Sequence, residues 1–115
     1  MPFAAGGSSD FTARTLAHKI SAGWGQQVVV DNRAGGTGVI GVQLAAKSAP
    51  DGYTILFASS STFATAPALN PNLPYDPAKD FAPISLVVLG PNVLTAHPSL
   101  SVQSVKDLIQ LAKAK

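Results

Sequence analysis

The sequence predicts an α/β layered domain with a largely parallel sheet flanked by helices. Three observations point there. Short apolar runs alternate with stretches of helical periodicity, the order expected when strands and helices form separate layers. The run Val28-Val29-Val30 is apolar and β-branched at every position, as a strand covered on both faces must be. Turns rich in glycine or proline punctuate the junctions between these runs.

The first helix is marked by Phe11, Ala13, Leu16, Ala17, Ile20 and Trp24 at helical spacing. Ser8, Ser9 and Asp10 precede it as capping candidates, and Gly25 follows as a stop. The strand at Val28–Val30 ends at Asp31-Asn32, and a glycine-rich turn spans Ala34 to Gly38. A weaker helix is expected from about Val39 to Ser48, stopped by Ala49-Pro50-Asp51-Gly52. Thr54–Ala58 reads as a second strand, Ser59–Thr62 as the loop after it, and Phe63–Leu69 as a short helix. Three prolines within Asn70–Pro77 leave too few backbone donors for regular structure there. Ile84–Leu89 and Val93–Ala96 flank Gly90-Pro91-Asn92, giving two strands or one strand broken by a turn. In the last element Ser104 caps, Asp107 stands three residues on in a capping-box-like position, and Val105, Leu108, Ile109 and Ala112 form the apolar stripe. No stop signal follows before Lys115.

Composition narrows the function classes. The chain has 115 residues, 46% of them hydrophobic and only 12% charged, enough for one ordinary core and too apolar for disorder. So little charge also suits a piece of a larger protein, one face of which is normally covered. Eight Lys or Arg face six acidic residues, all of them Asp, and the basic residues are spread along the chain. Without a basic stripe, a nucleic-acid partner is not expected. There is no cysteine, which removes disulfides, thiolate metal sites and cysteine nucleophiles. No apolar run approaches the length of a membrane span, and Met1–Gly7 lacks the charged and apolar regions of a signal peptide.

The sharpest local feature is Gly6-Gly7-Ser8-Ser9-Asp10 opening a helix. Glycine allows close backbone approach, and the first N–H groups of a helix lack internal partners, so such a segment can receive a carboxylate or phosphate. An ordinary glycine turn with an N-cap explains the same residues. Asp10 is better placed as a cap than as a contact, because its charge would repel an anionic ligand. Neither G-x-G-x-x-G nor G-x-x-x-x-G-K-[ST] is present, so a nucleotide site is not expected. Gly35–Gly38 is only loosely like a phosphate cradle, and the reading for Arg33 beside it is a structural hydrogen bond. Ser59, Ser60, Ser61 and Thr62 place four hydroxyls after a buried strand, the end at which open α/β sheets bind ligands. A solvated serine-rich turn is the alternative. Asn92 either turns an amide toward the same crevice or stabilises its own turn. Catalysis is not expected: His18 and His97 have no nearby carboxylate to orient them, and no G-x-S-x-G elbow exists. Two histidines without cysteine or glutamate also make no metal set, and no cofactor is expected.

Pro2-Phe3-Ala4-Ala5-Gly6-Gly7-Ser8-Ser9-Asp10, Val30-Asp31-Asn32-Arg33-Ala34-Gly35-Gly36, Ala49-Pro50-Asp51-Gly52-Tyr53-Thr54 and Leu73-Pro74-Tyr75-Asp76-Pro77 together resemble the tripartite tricarboxylate transporter solute receptors, the Bug family. Asp80-Phe81-Ala82-Pro83, His97-Pro98-Ser99 and Ser104–Leu108 continue the likeness in order and spacing. The resemblance implies a type II periplasmic binding protein fold, two α/β domains closing on a small carboxylate with no cofactor and no reaction. It further implies a periplasmic location and partnership with the membrane permease subunits. The loop matching Phe3 to Asp10, including Phe3, Ala4, Gly7, Ser8 and Ser9, would form one jaw, meeting the ligand through backbone groups and bridging waters. Ser59–Thr62 would border the cleft. Set against the family, residues 1–115 make an incomplete first domain: Met1 stands inside the first strand, and the second domain and the returning segment are absent. Loss of part of the sheet's centre would leave unpaired buried edges, which invite association with another chain, so a self-associating fragment without binding activity is the alternative expectation.

Overall fold

A computed structural model describes residues 1–114. Among the described residues four helices stand in chain order: α1 (Ser8–Trp24), α2 (Val39–Ala46), α3 (Ala66–Leu69) and α4 (Val105–Lys113). A short 3-10 turn at Gly36–Gly38 leads into α2, and one wide π-type turn at Ser61–Thr65 leads into α3. The chain divides into two compact units, Met1–Pro83 and a second beginning at Ile84.

In the first unit α1 starts at Gly7 and ends at Gly25, whose left-handed backbone (φ 65°) lets its N–H reach the Ser21 carbonyl. Ser21 also closes this end by side chain: its hydroxyl donates to the Ala17 carbonyl at 2.7 Å and accepts the Val28 N–H at 2.8 Å. The face that α1 buries is narrow and small, made by Asp10, Ala13 and Ala17. This departs from the expected stripe. Phe11 and Trp24 lie on the same periodic pattern, yet they are 75% and 62% exposed, because the covered face runs through the alanines.

The core gathers around Pro2, Val42 and Thr62, all fully buried, with Tyr75 beside them. Glycine makes this packing possible at two places. A Cβ on Gly41 would lie 2.7 Å from both the Arg33 carbonyl oxygen and the Pro2 Cα, so α2 rests directly on the backbone of its neighbours. Gly38 has φ +97°, and a Cβ there would meet Thr62 Cγ2 at 2.6 Å. The proline-rich segment after α3 folds back onto this core. The Tyr75 hydroxyl donates to the Thr62 carbonyl at 2.8 Å, and Phe81 packs against Phe63 with ring centroids 5.0 Å apart.

The expected parallel sheet does not form among the described residues: 28–30, 54–58, 84–89 and 93–96 carry no strand pairing. A strand exists only through its neighbour, and no backbone hydrogen bond joins any of these runs to another among the described residues. A single rung of parallel type is present. The Met1 ammonium donates to the Asp31 carbonyl at 2.7 Å, and the Arg33 N–H donates to the Met1 carbonyl at 2.8 Å. Burial lowers the pKa of that ammonium from its ordinary value.

In the second unit the capping expectation holds. Ser104 Oγ accepts the Asp107 N–H, while Asp107 Oδ2 accepts the Gln103 N–H, so each side chain satisfies a donor at the start of α4. The helix runs to Lys113, with Ala114 as its cap; Lys115 is outside the described residues. None of this unit's described residues is buried. No helix among the described residues is long and apolar enough to cross a membrane.

Candidate functional site

The segment Phe3–Asp10 is held from beneath by three side chains. Asp10, only 6% exposed at its side chain, accepts the Gly6 N–H at 3.0 Å and the Arg14 Nε–H at 2.9 Å through one oxygen. Its other oxygen accepts from Asn32 Nδ2 at 3.0 Å. Asn32 Nδ2 also donates to the Phe3 carbonyl at 3.0 Å, and Asn32 Oδ1 accepts from Arg14 at 3.0 Å. Both ends of the loop are therefore fixed, Phe3 through Asn32 and Gly6 through Asp10. Gly6 supports the geometry with φ +86°, a conformation that a side chain would strain.

Arg14 first, then the Gly6 N–H and the Asn32 amide, stabilise the anionic form of Asp10 and hold its pKa down at about 2. The carboxylate is thus charged, yet both its oxygens are occupied within the fold. It caps no free N–H of the helix. Among the described residues, the N–H groups of Gly7, Ser8 and Ser9 engage no hydrogen bond, and the first intrahelical bond there runs from the Phe11 N–H to the Gly7 carbonyl. Gly7 and Ser8 are exposed and Ser9 is half-buried. The result is a short row of free donors at the N-terminus of a 17-residue helix, where the macrodipole favours negative charge.

The other expected site residues fall in two places. Ser59 and Ser61 share a hydroxyl contact at 2.6 Å, and Ser60 beside them is exposed. Thr62, the fourth hydroxyl, turns inward instead: it is fully buried and donates to the Ser59 carbonyl at 3.0 Å. This serine turn and the Phe3–Asp10 loop leave from adjacent parts of the core, since Thr62 and Pro2 flank Gly38 together. No hydrogen bond joins the two segments among the described residues. Phe3 is half-buried and Ala4 exposed. Asn92 is exposed in the second unit. Arg33 pairs with Asp31 at 2.9 Å on the surface, as a structural hydrogen bond.

The sequence reading missed Asn32 and Arg14. Arg14 was visible in principle, four residues after Asp10 on a helix face. Asn32 was not, because its partners lie 22 and 29 positions away. Among the described residues no cluster of three or more metal-ligating side chains occurs. Two open depressions lie elsewhere, one lined by Ala17, His18, Ser21 and Val28, the other by Ala96, His97, Leu100 and Gln103.

Comparison with known proteins gives this geometry a context. The profile described as tripartite tricarboxylate transporter family receptor matches residues 12–115. Protein BugT of Bordetella pertussis is 47% identical over 116 residues, an alignment covering 100% of this chain and 36% of BugT. A UPF0065 protein of Pseudomonas sp., from the tcbD-tcbE intergenic region, is 41% identical over 114 residues, covering 99% of this chain and 33% of the relative. Among solved structures, R. palustris Rpa4515 with adipate superposes with a TM-score of 0.85 at 39% identity, covering 99% of this chain and 38% of that one. The likeness supports an α/β solute-binding fold. The chain spans about a third of the length of the relatives it matches.

Proposed function

Because the chain belongs to the tripartite tricarboxylate transporter receptor family, we propose that it contributes one jaw of a receptor for a small carboxylated solute. On this reading residues 1–115 are the incomplete first domain of a two-domain receptor, working in the periplasm with the membrane subunits of the transporter. The solute is bound and passed on unchanged. In the whole receptor, the apolar runs at 28–30 and 54–58 join a largely parallel sheet. The observation that carries the proposal is the row of free donors at Gly7, Ser8 and Ser9, kept open by a carboxylate that is itself fully engaged. Ala4 and the Phe3 backbone line the same loop, and the hydroxyls of Ser59, Ser60 and Ser61 border it. The adipate of the Rpa4515 structure supports a dicarboxylate as the first ligand to try. Uncharged donors suit such a ligand, since several hydrogen bonds to a carboxylate bind it without burying an opposite charge.

Isothermal titration against adipate, shorter dicarboxylates, citrate, glutamate and aromatic acids tests the proposal. Saturable binding of one ligand per chain is expected for at least one of these acids, and heats of dilution alone across the panel would refute it.

One observation favours the second reading, a chain that self-associates. The unit beginning at Ile84 has no buried residue among those described, while Ile84, Leu86, Leu89 and Val93 are each more than 70% exposed. Two separate compact bodies of these lengths would expose about 7,000 Å² by the surface scaling of folded monomers, against 8910 Å² here. Light scattering of the purified chain decides: an oligomer supports this reading, and a monomer at all concentrations ends it.

A further inference from the structure

α1 and α4 each carry an aspartate in the first turn that accepts the N–H four residues before it, but the two starts differ in their cap, since Ser104 lends a side chain and Gly7 has none. At α4, Ser104 and Asp107 take up local N–H groups and close the terminus. At α1, Asp10 reaches backward and sideways to Gly6, Arg14 and Asn32, and the N–H groups of Gly7, Ser8 and Ser9 are left without internal partners. Asn32 completes the arrangement by gripping the Phe3 carbonyl at the far end of the loop.

We propose that Asp10, Asn32 and Arg14 are positioning residues for the carboxylate-binding loop, fixing its two ends so that the helix-terminal donors stay open to the ligand. This deepens the receptor reading above and rests on it. Electrostatics and geometry make opposite predictions for Asp10, which allows a decision. As a bare negative charge near an anion site, Asp10 would oppose binding, and its removal would tighten it. As an anchor, its loss frees the Gly6 N–H and the Asn32 amide together, and the loop drifts. A neutral asparagine at position 10 keeps the shape but cannot accept from three donors at once.

The test compares Asp10→Asn, Asn32→Ala and the double variant with the parent protein at its full natural length. Adipate affinity is read by titration calorimetry and the Gly6 amide by hydrogen exchange. The anchor role predicts that each single variant weakens adipate binding roughly tenfold or more, the size of a lost hydrogen bond to a charged group. It also predicts that the double variant is far less than additive, because the two side chains act on one loop. Val42→Ala serves as the structural control: it loosens the core and lowers the melting temperature while affinity well below melting stays put. Unchanged or tighter binding by Asp10→Asn overturns the proposal. If the parent binds no acid on the panel, the receptor reading fails on its own, and the anchor role is decided by exchange: a Gly6 amide exchanging at least roughly tenfold faster in the variants sustains it, and an unchanged rate overturns it. Should Asp10→Asn not fold, Asn32→Ala decides on the same two readouts.

Discussion

Replacing Gly41 by alanine sets two physical effects against each other. Within α2, alanine is favoured over glycine by about 1 kcal/mol of helix propensity. The added Cβ, however, would stand 2.7 Å from the Arg33 carbonyl oxygen, 2.7 Å from the Pro2 Cα and 2.9 Å from the Pro2 Cβ. Two of these three neighbours are backbone atoms, and the third belongs to a fully buried ring, so none can swing aside as a flexible side chain would. Forcing an extra methyl into such packing costs about 1–3 kcal/mol, and here the upper half of that range applies because α2 must move as a body. The net expectation is a loss of about 1–2 kcal/mol. Urea unfolding followed by circular dichroism measures it, with Gly23→Ala as the reference. Gly23 sits in α1, and a Cβ added there would meet nothing within 4 Å, so the same substitution should gain about 0.5–1 kcal/mol. If Gly41→Ala proves as stabilising as Gly23→Ala, the close approach of α2 to Pro2 and Arg33 is wrong.

Other outcomes follow from the same structure. Tyr75→Phe removes the donor to the Thr62 carbonyl and should cost about 1–2 kcal/mol in urea unfolding; Val42→Ala, at a fully buried position, should cost about 2–3 kcal/mol. Asp10 has a folded pKa of about 2 against an ordinary value of 3.8. Its contribution to stability is therefore present above the ordinary value and lost as pH falls from about 5 toward 2. Asp76 and Asp107, also held low, the first by Lys79 and the second by the Gln103 N–H, act in the same sense. Urea midpoints at pH 6 and pH 3 should differ less for Asp10→Asn than for the parent, and an equal difference would remove Asp10 from the account. Ser104→Ala should cost about 0.5–2 kcal/mol of α4 stability, visible as faster amide exchange in its first turn.

The helices were legible in the sequence because their signals are local. Gly25 and Ser104 mark their ends by chemistry that acts within one turn, and α1 and α4 stand where periodicity placed them. The covered face of α1 was not legible: Phe11 and Trp24 share a stripe with Ala13 and Ala17, and only the tertiary partner decides which part is buried. The same holds for the apolar runs at 28–30 and 54–58. Their composition is that of strands, but pairing depends on a neighbour distant in the chain, and among the described residues only the Met1 and Arg33 rung is made. At the candidate site the glycine turn opening a helix followed from residue type and spacing, whereas Asp10, expected as a cap, instead accepts from Gly6, Arg14 and Asn32, and the cap position is taken by Gly7 without a side-chain bond. The clamp by Asn32 did not follow either, since it joins residues brought together only by folding. Likewise Thr62, read as one of four surface hydroxyls, became a core residue once Pro2 and Tyr75 closed over it.

Everything proposed for the receptor depends on the free helix-terminal donors at Gly7, Ser8 and Ser9 receiving a carboxylate. Titration of the 15N-labelled protein with adipate, read from its amide proton shifts, reports on those three groups individually. Saturable downfield shifts of the Gly7, Ser8 and Ser9 amides are expected, while those of Ala66–Leu69 stay still. Saturable shifts confined to other segments, or none at all, would contradict the carboxylate site.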